Sequence, residues 1–157
     1  MIRTFIALAV PIDIRNRMGE VQSRLKQGGA VVRWESPEKL HATIKFLGDI
    51  EEGRLQQVLD MCDETIRQFA DLDVRFESLG VFPNLTKPCV VWIGCSDLSG
   101  SLEKIKGRLD QRLAPLGFEI EKRRFQPHVT LGRVKEYSHQ NDLTSLMENV
   151  IFEPQSP

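Results

Sequence analysis

The chain is poor in the residues that most often announce special chemistry: among 157 residues it has three cysteines, three histidines, two tryptophans and one tyrosine. Cys62, Cys89 and Cys95 are odd in number, lack a metal-type spacing and each lies in an apolar pattern, which argues against a disulfide framework and for free buried thiols. No apolar run approaches the ~20 residues needed to span a bilayer. The opening Met1-Ile2-Arg3 leads directly into a short apolar run ending at Val10-Pro11, with the wrong flanks for a secretory leader. A cytoplasmic protein with no membrane contact is expected. The net charge of −1 argues against a chain that coats nucleic acid nonspecifically. The length suffices for one compact domain, or two small lobes sharing a core, and the sequence leaves the oligomeric state open.

Charge is nevertheless unevenly placed: residues 101–135 carry nine Lys/Arg against four Asp/Glu, so this stretch is +5 and the remainder −6. A basic stretch suits a phosphate-bearing ligand held at one place, although Lys104, Lys106, Arg108 and Arg112 read better as the wet face of a helix.

What the sequence does contain is a repeated motif. Leu40-His41-Ala42-Thr43-Ile44-Lys45-Phe46 is echoed 87 residues later by Pro127-His128-Val129-Thr130-Leu131-Gly132-Arg133. In each copy a His and a Thr stand two apart among apolar residues, the alternation of a half-buried strand. Side chains i and i+2 of a strand share a face at roughly 6.6 Å, so each copy sets an imidazole beside a hydroxyl. A single copy would be read as β propensity and local hydrogen bonding; two copies holding two of the three histidines point to a paired site.

Taken in order, Thr4–Val10 reads as a strand, and Asp13 as the cap of a helix with Ile14, Met18, Val21 and Leu25 inward, stopped at Gly28-Gly29. A short strand over 31–34 and a turn at Ser36-Pro37-Glu38 precede the first His strand, on which His41, Thr43 and Lys45 share a face. A helix over about 51–69 follows, burying Leu55, Val58, Cys62, Ile66 and Phe69, then a strand over 72–78 and a loop or bulged edge at 80–84. The order then restarts: strand 89–95, helix 98–116, strand 118–124, His strand 127–135 and a last helix over 141–150. The expectation is an α+β fold made by duplication of one unit.

Two imidazoles across a pseudo-twofold cleft supply an acid and a base for in-line displacement at phosphorus, each contributing about 10²- to 10⁴-fold. Thr43 and Thr130 could donate to nonbridging oxygens, and Lys45 and Arg133 could carry the anionic charge. Strict alternation points Arg133 away from His128 and Thr130, unless Gly132 marks a bulge that re-aims it. A zinc site on the two histidines lacks a third ligand at recognisable spacing, so neither metal nor cofactor is expected. His139 has no Thr two residues on and reads as a loop residue. Trp34, Phe82 and Phe125 are candidates to stack a base, with packing the simpler reading.

The two motifs, with Arg3-Thr4-Phe5-Ile6-Ala7, Arg33-Trp34 and Leu79-Gly80-Val81-Phe82-Pro83, resemble the two-histidine (2H) phosphoesterase superfamily, specifically its RNA 2′,3′-cyclic phosphodiesterase branch, also called 2′-5′ RNA ligase. The resemblance covers nearly the whole chain. It implies a single domain over 1–157 with two pseudo-symmetric lobes of antiparallel sheet plus helices around a central cleft, the motifs lying at 41–48 and 127–133. It further implies metal-independent opening of 2′,3′-cyclic phosphates on RNA ends or small nucleotides to 2′-phosphomonoesters by the paired His and Thr. Arg133 matches an arginine that this branch places near the phosphate, and the resemblance favours His41 as acid and His128 as base. Where the branch continues into a further strand, this chain reads as stopping at Ile151–Pro157. The reverse reaction, 2′-5′ ligation, and a noncatalytic module binding RNA ends are the alternative functions.

Overall fold

The computed structural model describes residues 1–136 and, beyond them, 143, 145, 147, 148, 150, 152 and 154. His139 lies outside the described residues. The elements are β1 (Ile2–Ala9), α1 (Ile12–Leu25), β2 (Val32–Trp34), β3 (His41–Ile50), α2 (Glu52–Ile66), β4 (Val74–Phe82), β5 (Val90–Asp97), α3 (Ser101–Leu113) and β6 (His128–Val134). The α+β class expected from the periodicities is the one observed. No helix among the described residues is long and apolar enough to cross a membrane.

The chain divides into two compact units, each collecting segments from both halves of the sequence. The first comprises Met1–Ala7, Thr43–Val74 and Asp97–Gln126. In it β1 lies beside β3 and α2 packs against α3, the helices tied by Arg112 to Glu64 at 2.7 Å. Its core is Ile44, Val58, Leu102, Ile105, Leu109, Leu113 and Phe118. α3 begins where Asp97 accepts the backbone N–H groups of Ser99 and Leu102 at 3.0 and 2.8 Å. Burial alone would raise this carboxyl, but these bonds and that from the Ser99 hydroxyl outweigh it and hold Asp97 below its ordinary value.

The second unit comprises Leu8–Ala42, Arg75–Ser96 and Pro127–Pro157. Here the order is β3, β6, β5, β4, with β3 contributing its first residues and β2 pairing with β6 on the stretch β3 leaves open. β6 is thus flanked by β5 on one side and by β3 and β2 on the other, all antiparallel. Ala42, Val91, Ile93, Val129 and Leu131 form the core side, and the α1 stripe Ile14, Met18, Val21 and Leu25 is buried in the same unit.

Several expectations are corrected. α1 starts at Ile12 with Pro11 at its N-cap and no side-chain cap bond. Asp13 sits inside the first turn, where its charge complements the helix dipole. α2 turns Thr65 inward, its hydroxyl donating to the Met61 carbonyl at 2.7 Å, and leaves Ile66 about half exposed. β4 continues through Gly80 and Val81 to Phe82. Residues 118–124 form no strand: Phe118 is buried, Ile120 is exposed, and the Glu119 carbonyl accepts the Lys45 ammonium at 2.7 Å. Of the expected last helix, Leu143, Ser145, Met147 and Glu148 are helical and Val150 is not; the other residues of 141–150 lie outside the description.

Candidate active site

β6 carries the second motif through the middle of the second unit, and its register with β5 defines the face it presents. Gly94 pairs with His128 and Trp92 with Thr130, but Val91 then pairs with Gly132 and Val90 with Arg133, so Leu131 is an extra residue in β6. Residues paired across strands point to one side of a sheet. Because Trp92 and Val90 lie on one side of β5, their partners Thr130 and Arg133 lie on one side of β6. The bulge therefore puts Arg133 on the face of His128 and Thr130, which unbroken alternation would forbid.

Gly132, expected as the bulge marker, has a different reason to be glycine. A Cβ there would stand 2.7 Å from Val32 Cγ1 and 2.8 Å from Trp34 Cε3. The bulge itself is held by a residue the periodicity hid. Gln22 of α1 is 2% exposed, and its amide donates to the carbonyls of Leu131 at 2.9 Å and Glu35 at 2.7 Å. The Leu131 carbonyl also accepts the Glu35 N–H at 2.8 Å. The legible signal was a polar residue four positions after Met18, on an apolar stripe.

His41 opens β3 after the tight turn Pro37–Lys39. Ala42 pairs with Val129 and both are buried, so His41, the preceding residue, projects from the other side of the sheet, beside Thr130. Directly opposed Cβ atoms are about 4.5–5.5 Å apart and diagonal ones roughly 7–8 Å, and His41 and His128 stand in the diagonal relation across the β3–β6 pair. The His41 Nδ1 lies 2.7 Å from the Lys39 carbonyl. A carbonyl can only accept, so in this contact Nδ1 carries the hydrogen. Thr43, two residues along β3, belongs to the first unit and is half-buried.

His128 stands in an aromatic corner. Its ring meets Phe82 edge-on at 5.0 Å between centroids and Trp92 at 6.4 Å. Trp92 lies flat across Gly80, where a Cβ would be 2.3 Å from the indole. Phe82, a base-stacking candidate in the sequence, is thus packed against the histidine, and Trp34 packs over Gly132.

Lys45 is corrected as a phosphate contact. It is 1% exposed, and its ammonium is taken by Asp110 at 2.6 Å and the Glu119 carbonyl at 2.7 Å. Asp110 also binds Lys106 at 2.6 Å, and Lys106 reaches Glu121 at 3.2 Å. Burial would raise the Asp110 carboxyl, but the bonds from Lys106 and Lys45 overcome it and hold it below its ordinary value. Lys45 is thereby a core cation of the first unit. No cluster of three or more metal-type ligands occurs among the described residues.

A face with two imidazoles, a hydroxyl and a guanidinium can bind a phosphoryl group and move protons on both sides of it. The comparisons with known proteins agree in class. The model of the LigT-like phosphoesterases matches residues 8–92 and again 93–156. A Methanothermobacter thermautotrophicus protein named RNA 2′,3′-cyclic phosphodiesterase is 32% identical over 146 residues, 93% of this chain and 78% of that one. An Archaeoglobus fulgidus protein of the same name is 35% identical over 133 residues, 85% and 73% of the two chains. Among solved structures, TT0787 of Thermus thermophilus superposes with a TM-score of 0.72 at 22% identity, over 99% of this chain and 81% of that one. Escherichia coli LigT complexed with 3′-AMP gives 0.70 at 24% identity, over 85% and 74%. Sequence and fold together establish that the chain belongs to the LigT-like phosphoesterases of the 2H superfamily.

Proposed function

We propose that this phosphoesterase is a metal-independent RNA 2′,3′-cyclic phosphodiesterase, working in the cytoplasm as one domain over residues 1–157, with His41, His128, Thr43, Thr130 and Arg133 as its working set. The observation that carries the reading is the common face of His41, His128 and Thr130, to which the bulge at Leu131 adds Arg133. His128 takes a proton from water as the water oxygen attacks phosphorus. The bond from phosphorus to the 3′ oxygen breaks, that oxygen takes the proton from His41 Nε2, and a 2′-phosphomonoester is left. Thr hydroxyls and the Arg133 guanidinium hold the nonbridging oxygens as charge builds on them. Lys45 supports β3 from the first unit and takes no part at phosphorus.

The names of the relatives supply the substrate class, and crystals of LigT with 3′-AMP, ATP and NADP+ support a nucleotide ligand. Ligation to a 2′-5′ bond is the same step reversed and is disfavoured in water. The test is turnover of a nucleoside 2′,3′-cyclic phosphate in EDTA, with the product resolved by phosphorus NMR. A 2′-phosphate formed at an undiminished rate is expected. Tight binding without turnover would make the chain an RNA-end binding module, and a 3′-phosphate product would reverse the proposed leaving oxygen.

A further inference from the structure

Beyond the reacting phosphate, the same face carries a second cationic position that the mechanism does not use. Arg33 of β2 pairs with Arg133 of β6, and pairing places both side chains on one side of the sheet. The flanking bonds, Glu35 N–H to the Leu131 carbonyl and Lys135 N–H to the Val31 carbonyl at 2.7 Å, make this a hydrogen-bonded pair with Cα atoms about 5.5 Å apart. Like charges directly opposite destabilise a sheet. Both residues are exposed, and neither has an ion-pair partner among the described residues. Lys135 continues on the same side of the strand. The fold thus accepts a local repulsion at the end of the row that starts with His128, an arrangement an anion would relieve.

We infer that Arg33 forms a second anion subsite, which takes the phosphate on the 5′ oxygen of the nucleoside whose 2′,3′-cyclic phosphate is opened. The inference rests on the cyclic phosphodiesterase reading and adds substrate length to it. From the level of His41 and Thr130 to that of Arg33 and Arg133 is one repeat of the sheet, roughly 7 Å. In a nucleic-acid strand the phosphate next to a terminal cyclic phosphate lies one ribose away, a comparable reach, and always on the 5′ side. Arg133, common to both levels, holds the reacting group while Arg33, on the outer strand, meets its neighbour through a forked contact.

The wild type, Arg33→Ala and Arg33→Lys are compared on three substrates: a nucleoside 2′,3′-cyclic phosphate with a free 5′ hydroxyl, the same compound with a 5′-phosphate, and a dinucleotide ending in it. The wild-type kcat/KM is expected to rise about tenfold from the first to a substrate bearing the added phosphate. In Arg33→Ala the rise disappears, and in Arg33→Lys part of it returns. A rise on the dinucleotide assigns the subsite to the internal phosphate of RNA, and one confined to the 5′-monophosphate assigns it to free nucleotides. No rise in the wild type, or a rise that survives Arg33→Ala, overturns the subsite. If the wild type opens none of the three, the cyclic phosphodiesterase reading fails, and calorimetry with a nucleoside 3′-monophosphate, with and without a 5′-phosphate, decides the subsite separately. Affinity gained from the 5′-phosphate and lost in Arg33→Ala supports it, and affinity retained overturns it.

Discussion

Gln22 shows how a single buried polar group can set the aim of a distant charge. Its amide occupies two carbonyls on different strands, and one of them belongs to the residue that bulges β6. Replacing it with leucine keeps the volume but leaves the Glu35 and Leu131 oxygens short of a donor, at a cost of about 1–3 kcal/mol. Gln22→Leu should also lower kcat/KM about tenfold by loosening Arg133. In an Arg133→Ala background the same change should lower stability again but not activity; an equal activity loss in both backgrounds would reduce Gln22 to a packing residue. At the histidines, Ala at 41 or 128 should each cost at least about 10²-fold in turnover. A general acid matters only while the leaving group needs its proton, so an activated ester should rescue His41→Ala and not His128→Ala. Rescue of His128→Ala alone would exchange the two roles.

At the scale of elements, β3 and α3 are joined by a buried charge cluster rather than by apolar contact alone. Asp110 satisfies both Lys45 and Lys106, and the charges are nearly closed to water. Asp110→Asn leaves the buried Lys45 ammonium without its carboxylate and Lys106 with only the more exposed Glu121, which should cost about 3–5 kcal/mol at neutral pH. The sign of the pH dependence follows from the lowered Asp110 carboxyl. Stabilisation by a carboxylate whose folded pKa is depressed is present above its unfolded value of about 3.9 and is lost as pH falls through the folded one. The gap between wild type and Asp110→Asn in urea unfolding should therefore be full at pH 7 and narrow below about pH 4. A gap unchanged at pH 3 would mean that Asp110 acts by packing. Gly132→Ala, driven into Val32 and Trp34, should cost about 1–3 kcal/mol by overpacking.

For the molecule as a whole, the two sequence repeats are not the two structural units. β6, from the second repeat, is enclosed by β5 from its own half and by β3 and β2 from the other. Residues 1–87 or 88–157 expressed alone should show no cooperative unfolding by circular dichroism, because each would expose strands whose partners lie in the missing half. A cooperatively folded half would contradict this.

The sequence by itself determined the α+β class and the two strands that carry His41, Thr43, His128 and Thr130, because strand alternation is local and a motif used twice is visible without coordinates. It also named the question of Arg133, since strict alternation turns that side chain the wrong way. Only tertiary structure could answer it. The bulge exists in the register between β5 and β6, and the amide that fastens it comes from α1, more than a hundred residues away. Lys45 failed as a phosphate contact for the same reason: alternation sets it beside His41 and Thr43, while its charge is decided by Asp110 on a helix 65 residues further on. The pairing of Arg33 with Arg133 was equally out of sight, because the counterpart of β2 expected at 118–124 forms no strand, and the partner of an edge strand is chosen by the fold.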